Sequence, residues 1–126
     1  MTLTSDIQPG PLLPCGGGGP SLDELVALRR EAGAATWRRV SDMAQVCASY
    51  LVCHPAVLAV RYPGLTSDAA YHEASCILEG GFGPLVDVRL LASGEWLRYD
   101  ARLADATASA RDEVLRLEHA LASLGR

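Results

Sequence analysis

The sequence predicts a small α+β protein in which helices pack on one face of a small, mostly antiparallel sheet, as a two-layer sandwich. Helical and strand patterns follow one another in the order helix, strand, helix, strand, strand, helix. The last two strand segments are separated only by the short turn at 92–95, and a hairpin of this kind makes them antiparallel. The 126 residues fit one domain, and a content of 49% hydrophobic and 21% charged residues is typical of a globular core.

The first helical segment begins at Ser21, which forms an S-x-x-E capping box with Glu24. Apolar residues then recur at helical spacing as far as Leu51. Gly33 is expected to kink this segment or to divide it into two helices. The segment should end before Pro55, because the residue that precedes a proline disfavours the α conformation.

Two further helices are predicted. One runs from Asp68, a plausible N-cap, to Glu79, with Gly80 and Gly81 as its C-cap. The other spans about 106–124. Its predicted buried stripe consists of Val114, Leu115, Leu117, Leu121 and Leu124, and its predicted water-facing residues are Arg111, Asp112, Arg116 and Glu118.

Three strands are predicted at 57–62, 84–91 and 95–99, where β-branched and aromatic residues are concentrated. In the second of these strands, Asp87 and Arg89 alternate with apolar residues. This alternation predicts that one face of the strand is exposed to water.

Residues 1–20 are predicted to form a flexible Pro/Gly-rich leader with neither helix nor strand, followed by a single domain at 21–126. The run from Gly16 to Gly19 could suggest a phosphate cradle. However, no predicted strand precedes it and no Lys-Ser/Thr pair follows it, so a flexible connector is the better interpretation.

The formal net charge of −4 and a pI near 5.2, without a basic patch, argue against binding to nucleic acid or to an anionic membrane. All eleven basic residues are arginines. The chain therefore cannot use a lysine Schiff base, a P-loop lysine or a Ser-Lys dyad.

The sequence shows no signal peptide and no apolar run long enough to span a bilayer, so a cytoplasmic protein is expected. In that compartment the four cysteines should be free thiols. No C-x-x-C spacing occurs among Cys15, Cys47, Cys53 and Cys76, and no metal site is predicted.

The segment from Ala44 to Leu90 contains a distinctive string of residues. His54-Pro55 is followed by Val57, Val60, Tyr62-Pro63-Gly64-Leu65 and Ser67, and later by His72 and Gly81-Phe82-Gly83. This string resembles the C-terminal domain of the Cys/Met-metabolism enzymes that use pyridoxal phosphate, a family that includes cystathionine γ-synthase, the cystathionine lyases and methionine γ-lyase. The resemblance implies the small α+β domain of a fold-type I enzyme and, for complete members of the family, a pyridoxal phosphate cofactor.

The sequence also departs from the family pattern. The large cofactor domain and its lysine are missing, so the chain looks truncated, and the family's Ser-Leu-Gly loop is absent. The resemblance places the arginine that grips the substrate carboxylate at Arg98 or, failing that, Arg102. The alternative interpretation is that both are strand or surface arginines.

No residue is predicted to be catalytic, to bind a cofactor or to bind a metal in this chain alone. His54 is interpreted as a helix-terminus residue and His72 as a surface or half-buried residue. Cys53 and His54 are neighbours on a helix, where side chains diverge, so they are not predicted to form a nucleophile–base pair.

Three functions remain open at this stage. The leading hypothesis is a non-catalytic, stand-alone domain that associates with itself as a dimer or with a separate cofactor-domain chain. A second is a split subunit that completes a pyridoxal-phosphate-dependent sulfur amino-acid enzyme in trans, using Arg98 or Arg102. A third is a regulatory module that binds a small ligand.

Overall fold

The computed structural model describes residues 11–124, and within that range four strands, four α-helices and a short 3₁₀ helix follow one another along the chain. Their bounds are β1 Leu12–Pro14, α1 Leu22–Ala32, α2 Ala34–Val52, β2 Val57–Arg61, α3 Tyr71–Ile77, β3 Leu85–Leu90, β4 Trp96–Asp100, the 3₁₀ helix Ala101–Leu103 and α4 Ala110–Leu124. The strands form one antiparallel sheet in the order β1-β4-β3-β2. The predicted α+β class is confirmed.

The main core lies between the sheet and the helix pair α2 and α4. Alternate residues of β3 and β4 point into it, which follows from the two-residue period of a strand. Helix α2 faces them with residues spaced by three and four positions. The core residues on these elements are Val86, Val88, Leu90, Leu97, Tyr99, Val40, Ala44, Cys47, Leu51, Leu117 and Leu121. This arrangement accounts for the two-layer architecture.

Helix α1 begins and ends as the sequence predicts. The Ser21 side chain accepts a hydrogen bond from the Glu24 N–H at 3.1 Å. Gly33 has φ +80°, a conformation that favours glycine, and it divides the first helical segment into α1 and α2. The turn folds α1 back so that Leu25 packs with Trp37 and Leu85 in a second, smaller cluster.

The prediction that residues 1–20 contain no strand is wrong for Leu12–Pro14. Strand β1 pairs with β4, with Leu12 opposite Tyr99, and the Leu12 side chain is buried in the main core. Pro14 is tolerated because it is the last residue of an edge strand, where a missing N–H costs little. Residues 1–10 lie outside the described range, and the domain boundary at 20/21 stays a prediction.

Helix α3 is shorter than predicted, and Asp68 does not cap it. The Asp68 carboxylate instead accepts hydrogen bonds from the Arg61 guanidinium, the Tyr62 N–H and the Ala70 N–H. The helix starts at Tyr71 and is followed by Leu78 in an extended conformation, so Gly80 and Gly81 lie beyond its C-cap. The sequence pattern could not show that Arg61 and Tyr62, at the end of β2, would donate hydrogen bonds to this carboxylate.

Replacing Asp68 with Asn should reduce the free energy of unfolding by about 2 kcal/mol at pH 7. Burial disfavours ionisation of this carboxyl, but the hydrogen bonds from Arg61, Ala70 and Tyr62 outweigh burial and hold its pKa below the usual 3.8. Because the folded-state pKa is depressed, the stabilisation is complete above pH 4 and is lost as the pH falls through the folded-state pKa. Urea unfolding of the wild-type protein and of Asp68→Asn at pH 7 and pH 3 measures this effect. If the free energies of unfolding of the two proteins differed by the same amount at both pH values, the prediction would be contradicted.

Helix α4 buries a narrower stripe than predicted. Leu117 and Leu121 are in the core, but Leu115 and Leu124 are exposed. Glu113 is buried instead, and its carboxylate accepts hydrogen bonds from the Tyr99 hydroxyl at 2.8 Å and from Arg116. These bonds offset the desolvation of the carboxylate, which a hydrophobicity pattern cannot anticipate.

Candidate functional site

The sheet face opposite the main core carries a buried ion pair between β3 and β4. Asp87 is fully buried and lies opposite Arg98, whose Nε and Nη2 donate to the two carboxylate oxygens at 2.7 and 3.1 Å. Nη1 of Arg98 lies 3.5 Å from a carboxylate oxygen of Glu24. The prediction that Asp87 faces water is therefore wrong, whereas Arg89 on the same strand is exposed.

A glycine-rich segment at 15–19, here named the glycine strap, crosses this face from β4 to β2. The Cys15 N–H donates to the Trp96 carbonyl at 3.1 Å. The backbone at Gly17, with φ +82°, lies so close to the indole that a Cβ there would be 2.6 Å from Trp96 Cδ1. At the far side, Arg61 Nη1 donates to the Gly18 carbonyl at 2.8 Å. Gly17 and Gly19 are therefore required for close approach to Trp96 and Arg61, whereas a Cβ at Gly16 or Gly18 would meet no atom within 4 Å.

The two arginines proposed for substrate binding lie in different surroundings. The guanidinium of Arg98 is held by Asp87 and Glu24, and the hydrogen bond to Asp87 raises its pKa. Arg102 is on the 3₁₀ helix with 44% of its side chain exposed, and it donates from Nε and Nη2 to Asp100 at 3.0 and 2.6 Å. Arg98 is thus engaged inside the fold, and Arg102 is the more accessible of the two. A substrate-binding role for either stays a prediction.

Arg102 lines a cleft of about 250 Å³ between α1, α2 and the 3₁₀ helix, here named the arginine cleft. Its lining residues are Leu28, Glu31, Ala32, Thr36, Arg39, Val40 and Arg102. Of these residues, only Arg102 is a substrate-binding candidate from the sequence. Arg39 falls in register with the long helix of the family that the sequence resembles but has no predicted role, and Glu31 is an ordinary polar position on an amphipathic helix.

A second concave surface, the apolar groove, lies where β3 ends beside α4, with a volume of about 200 Å³. Its lining residues are Ala56, Leu90, Leu91, Ala92, Leu121 and Leu124. Leu91 and Leu124 are 58% and 47% exposed. The helical periodicity predicts Leu124 in the buried stripe of the last helix and so does not reveal this surface.

The residues that carry the family resemblance hold loops together. The Tyr62 hydroxyl is buried and donates to the Gly83 carbonyl at 2.9 Å, with the Ser41 carbonyl at 3.3 Å. The Ser41 hydroxyl accepts a hydrogen bond from the Gly83 N–H at 3.0 Å. The Tyr-Pro-Gly and Gly-Phe-Gly strings therefore meet on α2, and their role in this chain is architectural.

Side chains next to these two strings also hold loops in place. Trp37 Nε1 donates to the Gly81 carbonyl at 3.1 Å, and Gln45 Nε2 donates to the Gly64 carbonyl at 3.0 Å. The Phe82 ring stacks on Tyr71 with 5.5 Å between the ring centroids. The hydrogen bonds from Trp37 and Gln45 satisfy two loop carbonyls that are not paired within a strand or helix.

His54 ties the end of α2 to α4. Its Nδ1 accepts a hydrogen bond from the Ala56 N–H at 3.0 Å, and its Nε2 lies 2.9 Å from a carboxylate oxygen of Glu118, which also accepts from the Tyr50 hydroxyl. The hydrogen bonds from Tyr50 and His54 lower the pKa of Glu118. The helix-terminus interpretation of His54 agrees with these contacts.

The remaining candidates are dispersed over the fold. Cys53, Cys76 and His72 are exposed, whereas Cys47 is buried, and burial raises the pKa of the Cys47 thiol to about 11. Within residues 11–124, no group of three or more His, Cys, Asp or Glu side chains is arranged to hold a metal ion. None of the helices in that range combines the length and apolar character needed to cross a membrane.

Comparison with known proteins identifies the fold. No protein-family model and no curated protein sequence matches the chain. Among solved structures, the chain is similar to a Campylobacter jejuni protein described as an O-acetylhomoserine (thiol)-lyase, whose crystal structure contains N'-pyridoxyl-lysine-5'-monophosphate. The TM-score is 0.55 at 16% identity, and the match covers 79% of this chain but only 30% of that protein. At this level of identity the similarity shows a shared fold.

The residues of this chain do not fit pyridoxal phosphate as a covalently held cofactor. None of the 126 residues is a lysine, so the lysine Schiff base that holds this cofactor cannot form. The glycine strap is packed against Trp96 and Arg61 rather than opening as a phosphate cradle. Arg98, the first candidate for a carboxylate, is bound to Asp87.

Proposed function

We propose that this chain is a non-catalytic module that has the fold of the C-terminal domain of pyridoxal-phosphate-dependent Cys/Met-metabolism enzymes and acts by associating with a second copy of itself. The apolar groove is the observation that carries this proposal. The absence of lysine and the engagement of Arg98 support the non-catalytic part.

The composition of the groove is unusual for a surface in contact with water. In the part of the chain that the structure describes, the six lining residues are all alanine or leucine. Exposed apolar patches of this kind mark interaction sites in soluble proteins. Covering Leu91 and Leu124 would remove two large, half-exposed side chains from water, and each would contribute roughly half of the 1.5–3 kcal/mol that full burial of an exposed leucine gives.

The properties of the groove favour contact with a second copy of this chain. Leu91 and Leu124 stand at its rim, so the leucines of one copy can enter the groove of the other, and the two-fold relation makes this contact reciprocal. Among residues 11–124 no charged residue lines the groove, so this part of the surface can face itself without like-charge repulsion. Strand β2 begins directly after Ala56, and among the described residues its outer edge has no strand partner.

Replacing Leu91 or Leu124 with Asp should weaken dimerisation more than tenfold, because a carboxylate would be desolvated in an apolar contact. Sedimentation equilibrium of the full chain at several concentrations measures the effect. Leu115→Asp is the matched control, since Leu115 is equally exposed on α4 but lies outside the groove. A wild-type protein that is monomeric at 100 μM (about the weakest useful affinity) would overturn the proposal.

Two measurements on the same sample separate the alternatives. After pyridoxal phosphate is added, the non-catalytic module should give no absorbance band of a bound cofactor, and such a band would contradict this proposal. A wild-type monomer that forms a complex with a separate cofactor-domain chain and restores its lyase or synthase activity would favour the split-subunit hypothesis. In that case the activity should also depend on Arg98 or Arg102.

A further inference from the structure

We propose that His54 is a pH-sensitive latch for the apolar groove: the neutral imidazole holds Ala56 in the groove wall, and protonation of the ring releases it. Ala56 is one of the residues that line the groove. The latch itself is a local property of the turn between α2 and β2, whereas its effect on dimers rests on the proposed self-association. Acidification is expected to weaken the contact between two copies of this chain.

The partners of the two ring nitrogens assign the tautomer of His54. The Ala56 N–H donates to Nδ1 at 3.0 Å, so Nδ1 carries a lone pair and no hydrogen. The hydrogen of the neutral ring is then on Nε2, which lies 2.9 Å from a carboxylate oxygen of Glu118. A neutral imidazole has one donor and one acceptor nitrogen, and here both are engaged. A second proton can bind only at Nδ1, where it would face the Ala56 N–H.

Tyr50 on α2 and Glu118 on α4 are the titratable side chains within residues 11–124 that stack on the ring or hydrogen-bond to it. The bonds that Glu118 accepts from Tyr50 and His54 lower the pKa of its carboxyl. Burial and the bond to Glu118 raise the pKa of the Tyr50 hydroxyl to about 12. Glu118 therefore stays charged and Tyr50 neutral between pH 8 and 5, which is the interval in which histidine side chains ordinarily titrate.

Two hydrogen bonds of the Ala56 backbone connect the ring to the groove. The Ala56 N–H donates to His54, and the Ala56 carbonyl accepts from the N–H of Leu91, which also lines the groove, at 2.9 Å. Once Nδ1 is protonated, two donors face each other, so the ring or the Ala56 peptide group has to turn away. The Val57 N–H keeps its bond to the His54 carbonyl, so the change is confined to the groove wall.

The first arm of the test follows the latch without the need for a dimer. Leu124→Asp, the variant expected to be monomeric, is titrated from pH 7.5 to 5.5 by NMR. The imidazole nitrogens should show the Nε2–H form at pH 7.5. As the ring becomes protonated, the protection of the Ala56 amide against hydrogen exchange, relative to its intrinsic rate, should fall about tenfold through loss of one hydrogen bond. Constant protection while the ring titrates, or a ring that does not titrate in this range, would overturn the latch.

The second arm measures dimerisation of the wild-type full chain by sedimentation equilibrium at pH 7.5 and pH 5.5. The dissociation constant should be about tenfold higher at the lower pH. His54→Asn is the decisive variant, because an Asn carbonyl can accept from the N–H two residues further on and does not titrate. Its dissociation constant should be the same at both pH values. His72→Asn and His119→Asn, at exposed positions, are the controls and should keep the wild-type pH dependence.

The possible results separate this inference from the proposed function. A wild-type dimer with the same dissociation constant at both pH values would overturn the regulation and leave self-association standing. Wild-type pH dependence in His54→Asn would do the same. A wild-type chain that is monomeric at both pH values would overturn the proposed function, whereas a fall in Ala56 protection in that protein would still support the latch.

Discussion

Replacing Asp87 with Ala should lower the free energy of unfolding by about 3–5 kcal/mol, a large part of the total for a domain of this size. Asp87 is fully buried, and the Arg98 side chain, on the sheet face that the glycine strap crosses, is only 26% exposed. Without its partner, this cation would be desolvated and left with only the longer contact to Glu24. Urea unfolding followed by circular dichroism measures the change.

A double variant distinguishes a lost ion pair from a packing defect. Because an unpaired buried charge costs more than an apolar pair of similar volume, Asp87→Leu/Arg98→Met should be more stable than Asp87→Ala by about 2 kcal/mol or more. A loss below about 1 kcal/mol in Asp87→Ala would mean that the pair behaves like an exposed salt bridge. That result would make Arg98 available for a substrate carboxylate and would revive its predicted role.

The second large effect is expected for Gly81→Ala, at the first glycine of the Gly-Phe-Gly string. A Cβ at this position would lie 2.2 Å from Ser41 Cβ, and φ is +140°. Ser41 is on α2 and its Cβ cannot rotate away, so the loop would have to move. This movement would weaken the hydrogen bond that Trp37 donates to the Gly81 carbonyl and the one that the Ser41 hydroxyl accepts from the Gly83 N–H. Backbone strain and overpacking, each 1–3 kcal/mol, should together destabilise the protein by about 3–5 kcal/mol.

Gly80→Ala is the matched control for this prediction. Gly80 also has a positive φ, +81°, but the nearest atom to a Cβ there is Trp37 Cδ1 at 3.7 Å, which is ordinary contact. Gly80→Ala should lower the free energy of unfolding only by the cost of a positive φ for alanine, about 1 kcal/mol. Equal losses in the two variants, measured by thermal unfolding, would show that backbone conformation and not the contact with Ser41 explains the glycine at position 81.

Several features could be predicted from the sequence because they depend on residues close together in the chain. The cap at Ser21 and the break at Gly33 are decided within one helical turn. The hairpin between β3 and β4 follows from a short turn between two β-rich segments. The resemblance also led to the observed fold class. It nominated Arg98, but it could not show that Asp87 engages it.

Other features were decided only by the tertiary structure. Strand β1 exists because Leu12 reaches β4, and a three-residue strand has no periodicity that could reveal it. Asp87 and Glu113 are polar in sequence yet buried, because Arg98 and Tyr99, each from another element, satisfy their oxygens. Local patterns therefore determined the longer helices and the strands β2 to β4, but not β1. The groove, the cleft and the buried charges depend on contacts between distant segments, and burial and pairing are properties of those contacts rather than of single positions.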